Sequence, residues 1–174
     1  MWTLVDSPAG PIRVTAHQRA VTAIEFVGEP PEDATPRSSM RVAAERAAGR
    51  PVGDRVEDDP LLMEAARQLT AYFNRDLKEF DLPLRPEGTP FQQRVWEELQ
   101  RIDYGQTATY GELAERLGMP RGASRAVGAA NGRNPIGIAI PCHRVVGASG
   151  SLSGYAGGVE RKQLLLQLEQ GSLS

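Results

Sequence analysis

The hydrophobic period of this 174-residue chain changes from that of strands to that of helices near Pro60, and that change governs what it can fold into. Over the first 27 residues apolar side chains alternate with polar ones. Trp2-Thr3-Leu4-Val5 comes first, then Ile12, Val14 and Ala16, then the run 21–27. Turns fall between them at Ser7-Pro8-Ala9-Gly10-Pro11 and near Gln18-Arg19. A period of two turns one face of a strand to a core, so these runs predict a short antiparallel sheet. From Pro60 the period becomes helical. Leu61, Leu62, Ala65, Leu69, Tyr72 and Phe73 then share one face, which is expected to pack on the strands. Strands first and helices afterwards make this an α+β chain.

Between these regimes, residues 28–59 are rich in Pro, Gly and charge and predict a long loop, with one helical turn at 42–48. Residues 81–86 carry two prolines, each of which disfavours helix in the residue before it, and read as an extended linker. Two domains follow, 1–84 and 85–174, the second mainly helical. No run is long and apolar enough for a membrane helix, and residues 1–6 lack the basic and apolar regions of a secretory leader. One cysteine cannot form an internal disulfide, which suits a reducing compartment, so a cytoplasmic protein is expected. With Cys142, His17 and His143 as the whole supply of soft ligands, no structural zinc and no other metal or cofactor is expected.

The second half opens on sharp helix starts. Thr89, Pro90 and Gln92 form one capping box, and Thr109 with Glu112 forms another. Phe91, Val95, Trp96, Leu99 and Ile102 supply the buried face of the first helix. After the second, short helix a Gly118-Met119-Pro120-Arg121-Gly122 turn leads to a third, from about Ala123 to Asn131. Short helix, tight turn, short helix is the helix-turn-helix pattern, although any pair of antiparallel helices could produce it. The charge distribution bears on the choice. The net charge is −2, yet residues 1–83 hold fourteen acids to ten bases and residues 84–174 eight to ten. Between Glu115 and Glu160 there is no acid, while Arg116, Arg121, Arg125, Arg133 and Arg144 fall there. Such a stretch has the footprint that a phosphate backbone requires.

Ile136, Ile138 and Ile140 then alternate with Gly137 and Ala139, as in a buried strand running into Pro141-Cys142-His143-Arg144. A cysteine delivered beside a histidine suits nucleophilic chemistry, because a thiol reacts as thiolate and needs a base or a cation near it. A lone buried cysteine can equally serve as a small hydrophobe. On a strand, neighbouring side chains face opposite ways, so His143 is not expected to touch Cys142 directly, and a bridging water would relay the proton.

Pro141-Cys142-His143-Arg144-Val145, with Asn134-Pro135 before it and Gly154-Tyr155-Ala156-Gly157-Gly158 after it, resembles the O6-alkylguanine-DNA alkyltransferase family. The likeness covers residues 89–174 through Phe91-Gln92-Gln93-Arg94-Val95-Trp96, Tyr110-Gly111-Glu112-Leu113-Ala114 and Ser124-Arg125-Ala126-Val127-Gly128, and reaches more weakly to Ser7-Pro8-Ala9-Gly10-Pro11. It implies a small ribonuclease-H-like N-terminal domain and a winged helix-turn-helix C-terminal domain. It implies irreversible transfer of the alkyl group from O6-alkylguanine, and from O4-alkylthymine, in double-stranded DNA to Cys142. By the same resemblance His143 is the water-assisted base, Glu169 its partner and Asn134 the brace of the surrounding turns. Tyr155 donates to the purine, and Pro141, Val145 and Ser151 complete the substrate pocket. A base stacked in a duplex is out of reach and must be flipped out. The family does this from the minor groove, with Arg125 filling the vacated stack, Tyr110 pressing on a phosphate, and Arg121, Ala126 and Ala129 on the DNA side. A monomer is expected, with cooperativity along DNA left open.

The chain departs from the family in two respects. The zinc ligands that some members carry are absent, and residues 28–59 have no assignable counterpart. Three rival readings remain, one of them a purely structural or regulatory DNA binder, whose functions would all survive Cys142→Ser. A DNA-recognition module without transfer would resemble family relatives that lack the acceptor cysteine, which is present here. A Cys-His hydrolase would need the histidine on the thiol.

Overall fold

The computed structural model describes residues 1–28, 53–152 and 154–171. The helical turn expected at 42–48, and most of the loop expected at 28–59, lie outside the described residues. No described helix is long and apolar enough to cross a membrane.

Strands β1 (Trp2–Val5), β2 (Ile12–His17) and β3 (Ala20–Phe26) form an antiparallel sheet in that order, with Val5 opposite Ile12 and Ile12 opposite Phe26. The Ser7 hydroxyl closes the first turn by accepting from the Ala9 amide and donating to the Gly10 carbonyl, while Gly10 takes a φ of 109°. Helix α1 (Pro60–Phe73) starts where the Asp59 carboxylate accepts the Leu62 amide, leaving Pro60 where no amide is needed. Its stripe of Leu62, Ala65, Leu69, Tyr72 and Phe73 is buried against β1 and β2, with Leu61 half-buried at its margin.

Two distant segments cover the free edge of β3. The linker runs alongside it: the Val21 amide donates to the Pro83 carbonyl and the Arg85 amide to the Val21 carbonyl, both at 2.8 Å. Further along, Ile24 donates to Pro135 and accepts from Gly137. The edge is thereby blunted, and the segment before Cys142 is anchored to the sheet.

Helix α2 (Pro90–Leu99) buries Val95, Trp96 and Leu99, and its capping box forms as the sequence predicts. Helix α3 (Tyr110–Arg116) begins on the second capping box, and Gly118 makes the turn after it with a φ of 74°. A single 3-10 turn (Arg121–Ala123) precedes α4 (Ser124–Gly132), completing the helix-turn-helix. Trp96 locks α2 to α4 by donating its indole N–H to the Ala130 carbonyl at 2.9 Å. Strands β4 (Ala108–Thr109) and β5 (Val145–Val146) pair in parallel, and α5 (Val159–Gln170) ends on Gly171 in the left-handed conformation.

The strand expected at 136–140 does not form. Ile136 makes one bridge, the chain then turns with Ile138 at a φ of 69°, and Cys142–Arg144 is a 3-10 turn. Pro135 and Pro141 bracket the segment and remove two ladder donors. Asn134 also takes the Ile136 amide on its Oδ1 and donates to the Ile140 carbonyl. A side chain thus satisfies backbone groups that a partner strand would have paired. The three isoleucines are still buried, as their pattern required.

Candidate active site

Cys142 opens the 3-10 turn at 6% exposure. It borders a small cleft shared with Asn134, Gly137, Ile138, Tyr155 and Gly157, and with Ile24 and Phe26 of β3. Its carbonyl accepts from the Asn131 side-chain Nδ2 at 3.3 Å, which ties α4 to the cysteine's own backbone.

His143 is completely buried, and its Nε2 lies 2.6 Å from Glu169 Oε2. A carboxylate only accepts, so the neutral ring carries its hydrogen on Nε2 and keeps the Nδ1 lone pair. Nδ1 is buried and makes no hydrogen bond among the described residues. His143 therefore does not hydrogen-bond to the thiol, as the sequence reading expected, although the two residues share a turn rather than a strand.

Glu169, near the C-terminal end of α5, is buried at 6% exposure rather than solvated. Its Oε1 accepts from Arg144 Nε at 2.8 Å and from the Gly105 amide at 3.3 Å. Its Oε2 accepts from His143, from Arg144 Nη2 at 3.1 Å and from the Tyr72 hydroxyl at 2.6 Å. Burial pushes the carboxyl up, but the hydrogen bonds and charges of His143 and Arg144 outweigh it and leave the pKa at about 2. Burial likewise pushes the His143 imidazole down, against the upward pull of Glu169, so it stays neutral and basic near neutral pH.

Tyr155 has its pKa well above the ordinary value, first through burial and then through the Cys142 charge, so its hydroxyl remains a donor. Lys162 of α5 is fully buried; burial pushes its pKa down and the Cys142 charge pulls it back up. The two groups are thus coupled, a Cys142 thiolate favouring the protonated Lys162 and the reverse.

Around this centre lies the surface that the sequence assigned to DNA. Arg121, Arg125, Ala126, Ala129 and Arg133 are exposed along α4 and the turn before it, with Arg121 paired to Glu115. Tyr110 sits between α4 and α5, within 3.6 Å of where a side chain on Gly128 would begin and 5.9 Å from Lys162 Nζ.

Both family models for 6-O-methylguanine DNA methyltransferases match, the ribonuclease-like domain over residues 1–86 and the DNA binding domain over residues 90–171. The chain belongs to this family. Its similarity to the methylated-DNA--protein-cysteine methyltransferase of Methanosarcina acetivorans is 44% identity over 97% of each chain. The crystal structure of Mycobacterium tuberculosis O6-methylguanine methyltransferase superposes with a TM-score of 0.80 at 42% identity, covering 99% of this chain and 94% of that one. The crystal structure of the same organism's OGT in complex with DNA superposes with a TM-score of 0.78 at 43% identity, covering 98% of this chain and 92% of that one.

Within this methyltransferase frame the structure brings together Cys142, His143, Glu169, Asn134 and Tyr155. Pro141 lies on a second cavity, beside Arg144 and Tyr104. Val145 is buried in the β4–β5 pair, and Ser151 is exposed, its carbonyl accepting from the Gly147 amide. Arg144, read from sequence as part of a phosphate-facing stretch, is instead buried and ion-paired to Glu169, which removes it from that surface. Sequence reasoning missed Tyr72, Gly105, Asn131 and Lys162. The signal for Lys162 was present, since it stands seven residues before Glu169 on one helical face. Tyr72 gave only the faint cue of a hydroxyl set in an apolar stripe.

Proposed function

We propose that the protein reverses alkylation of guanine O6 in DNA by moving the alkyl group onto Cys142, once per molecule. The Nδ1 lone pair of His143 carries this reading: a buried base, oriented through Nε2 by an anionic Glu169, in the residue next to the cysteine. A water held at Nδ1 passes the thiol proton to His143, and Lys162 favours the resulting thiolate. The sulfur attacks the alkyl carbon in line. A carbon–sulfur bond forms, the carbon–oxygen bond breaks, and its electron pair goes to the guanine. Tyr155 donates a hydrogen bond to the departing purine, offsetting its developing charge. The purine then takes up one proton, the equivalent of the one His143 removed from the thiol, so neutral guanine is restored, and the thioether has no ordinary route back to thiol.

Access requires a flipped nucleotide. The exposed face of α4 enters the minor groove, where Ala126 and Ala129 keep the helix slim. Arg125 occupies the emptied stack, and Tyr110 turns the flanking phosphate. Asn134 holds the Cys142 turn in shape while the base enters the cleft. The protein acts as a monomer.

Titrating O6-methylguanine duplex in excess over protein tests this directly. Repaired lesions level off at one per protein molecule, as measured by digestion and chromatography of the DNA. Continued turnover, or repair that persists in Cys142→Ser, would refute the reading.

A further inference from the structure

Glu169 Oε2 accepts from three side chains: Arg144 Nη2 at 3.1 Å and, each at 2.6 Å, His143 Nε2 and the sequence-distant Tyr72 hydroxyl. Tyr72 comes from α1, which packs on the N-terminal sheet, and it is completely buried with its ring set edge-on against Phe73 and Tyr104. Its hydroxyl is a donor only, since the carboxylate beside it cannot donate. We propose that Tyr72 is a positioning residue of the transfer reaction. By donating to the oxygen that receives His143 Nε2, it sets how strongly Glu169 draws a proton onto the imidazole, and so sets the basicity of Nδ1. This inference rests on the Cys142–His143–Glu169 reading above.

The physical case is one of competition at a single atom. When His143 takes up the thiol proton it becomes a buried cation facing Glu169. Each other donor to Oε2 spreads the carboxylate charge and weakens its hold on that cation. The groups facing the pair are Arg144 on the same turn, Lys162 on α5, Tyr72 on α1, Tyr104 and Tyr155 from the loops, and Cys142 itself. Arg144 holds both carboxylate oxygens, and Lys162 opposes protonation of the ring by its charge alone. Tyr72 is the neutral donor in direct contact with Oε2. Burial, and then the Glu169 charge, push its phenol far above the ordinary range, so the contact persists at any working pH.

Removing the hydroxyl leaves Oε2 with fewer donors and more attraction for the imidazolium. In Tyr72→Phe, where the ring and its packing remain, His143 titrates higher, by about one pH unit, the scale set by losing one charge-assisted hydrogen bond. Site-specific 3,5-difluorotyrosine at 72, a stronger donor of nearly the same shape, moves it lower. Two measurements on the full chain follow the shift. One is the low-pH limb of the single-turnover transfer rate at saturating O6-methylguanine duplex. The other is the 15N NMR titration of the His143 imidazole. Opposite displacements of the limb and of the His143 titration in the two variants support the proposal. A fall in melting temperature with both left in place would make Tyr72 a packing residue and overturn it. If the unsubstituted protein places no methyl on Cys142, the proposed function itself has failed, and that result is read before either variant is made.

Discussion

The ionisable residues at the centre of this molecule make opposite demands on burial, and their balance predicts how it responds to acid. Glu169 has a folded pKa of about 2, below its ordinary 4.5. A depressed carboxyl contributes stability that is present above pH 4.5 and lost as pH falls toward 2. His143 is also depressed in the folded state, so the unfolded chain binds its proton first and stability begins to fall as pH drops below about 6.5. Melting temperature is therefore expected to decline in two stages on acidification, and His143→Gln should remove the earlier one. Glu169→Gln leaves the buried Arg144 without its counter-ion and is expected to cost about 3–5 kcal/mol in urea unfolding. Their own residue types made Cys142 and His143 readable from sequence, and Asn134 and Glu169 were legible through the family resemblance. Tyr72 was not, because its partner stands 97 residues away and no local pattern encodes the meeting. Arg144 was assigned to the wrong surface for a related reason: charge counted along a chain says nothing of which charges face inward.

Among the elements, the helix-turn-helix was the most legible and the segment before Cys142 the least. Thr109 and Glu112 fix the start of α3 through bonds three residues long, so local sequence suffices. Thr109→Ala should cost about 1 kcal/mol of stability, measured by chemical denaturation, because an orphan amide loses its cap. Residues 136–140 alternate like a strand yet fold as a turn, since Pro135, Pro141 and the Asn134 side chain settle their backbone hydrogen bonds without a ladder. Alternation reported their burial correctly and their conformation wrongly. On α4 the exposed Ala129 offers a clean test of the surface proposed to face DNA. Ala129→Glu should leave stability within about 0.5 kcal/mol. The added bulk and negative charge should lower duplex affinity at least about tenfold in fluorescence anisotropy. Unchanged affinity would move the DNA to another face. Arg125→Ala should depress repair of duplex far more than reaction with the free alkylated base, and equal losses would remove its role in flipping.

For the whole molecule, the two matched regions work as one because side chains from each complete the other. Arg161 of α5 donates to the Ala9 and Gly28 carbonyls and stacks on Phe26 at 4.5 Å, while β3 holds the Pro135–Gly137 backbone. Arg161→Met keeps bulk but abandons the buried Ala9 carbonyl and the part-buried Gly28 carbonyl, and a loss of about 2–4 kcal/mol is expected in denaturant titration. These long-range ties were invisible in sequence, where only the amphipathic faces that bring the parts together could be read. The central claim is that Cys142 receives the alkyl group, and one measurement addresses it: the intact mass of the protein after incubation with a duplex carrying a single O6-methylguanine, followed by peptide mapping. The account predicts one gain of about 14 Da, a methyl replacing the thiol hydrogen, confined to the Cys142 peptide and absent in Cys142→Ser. An unchanged mass with the lesion still bound, or a methyl on any other residue, would contradict it.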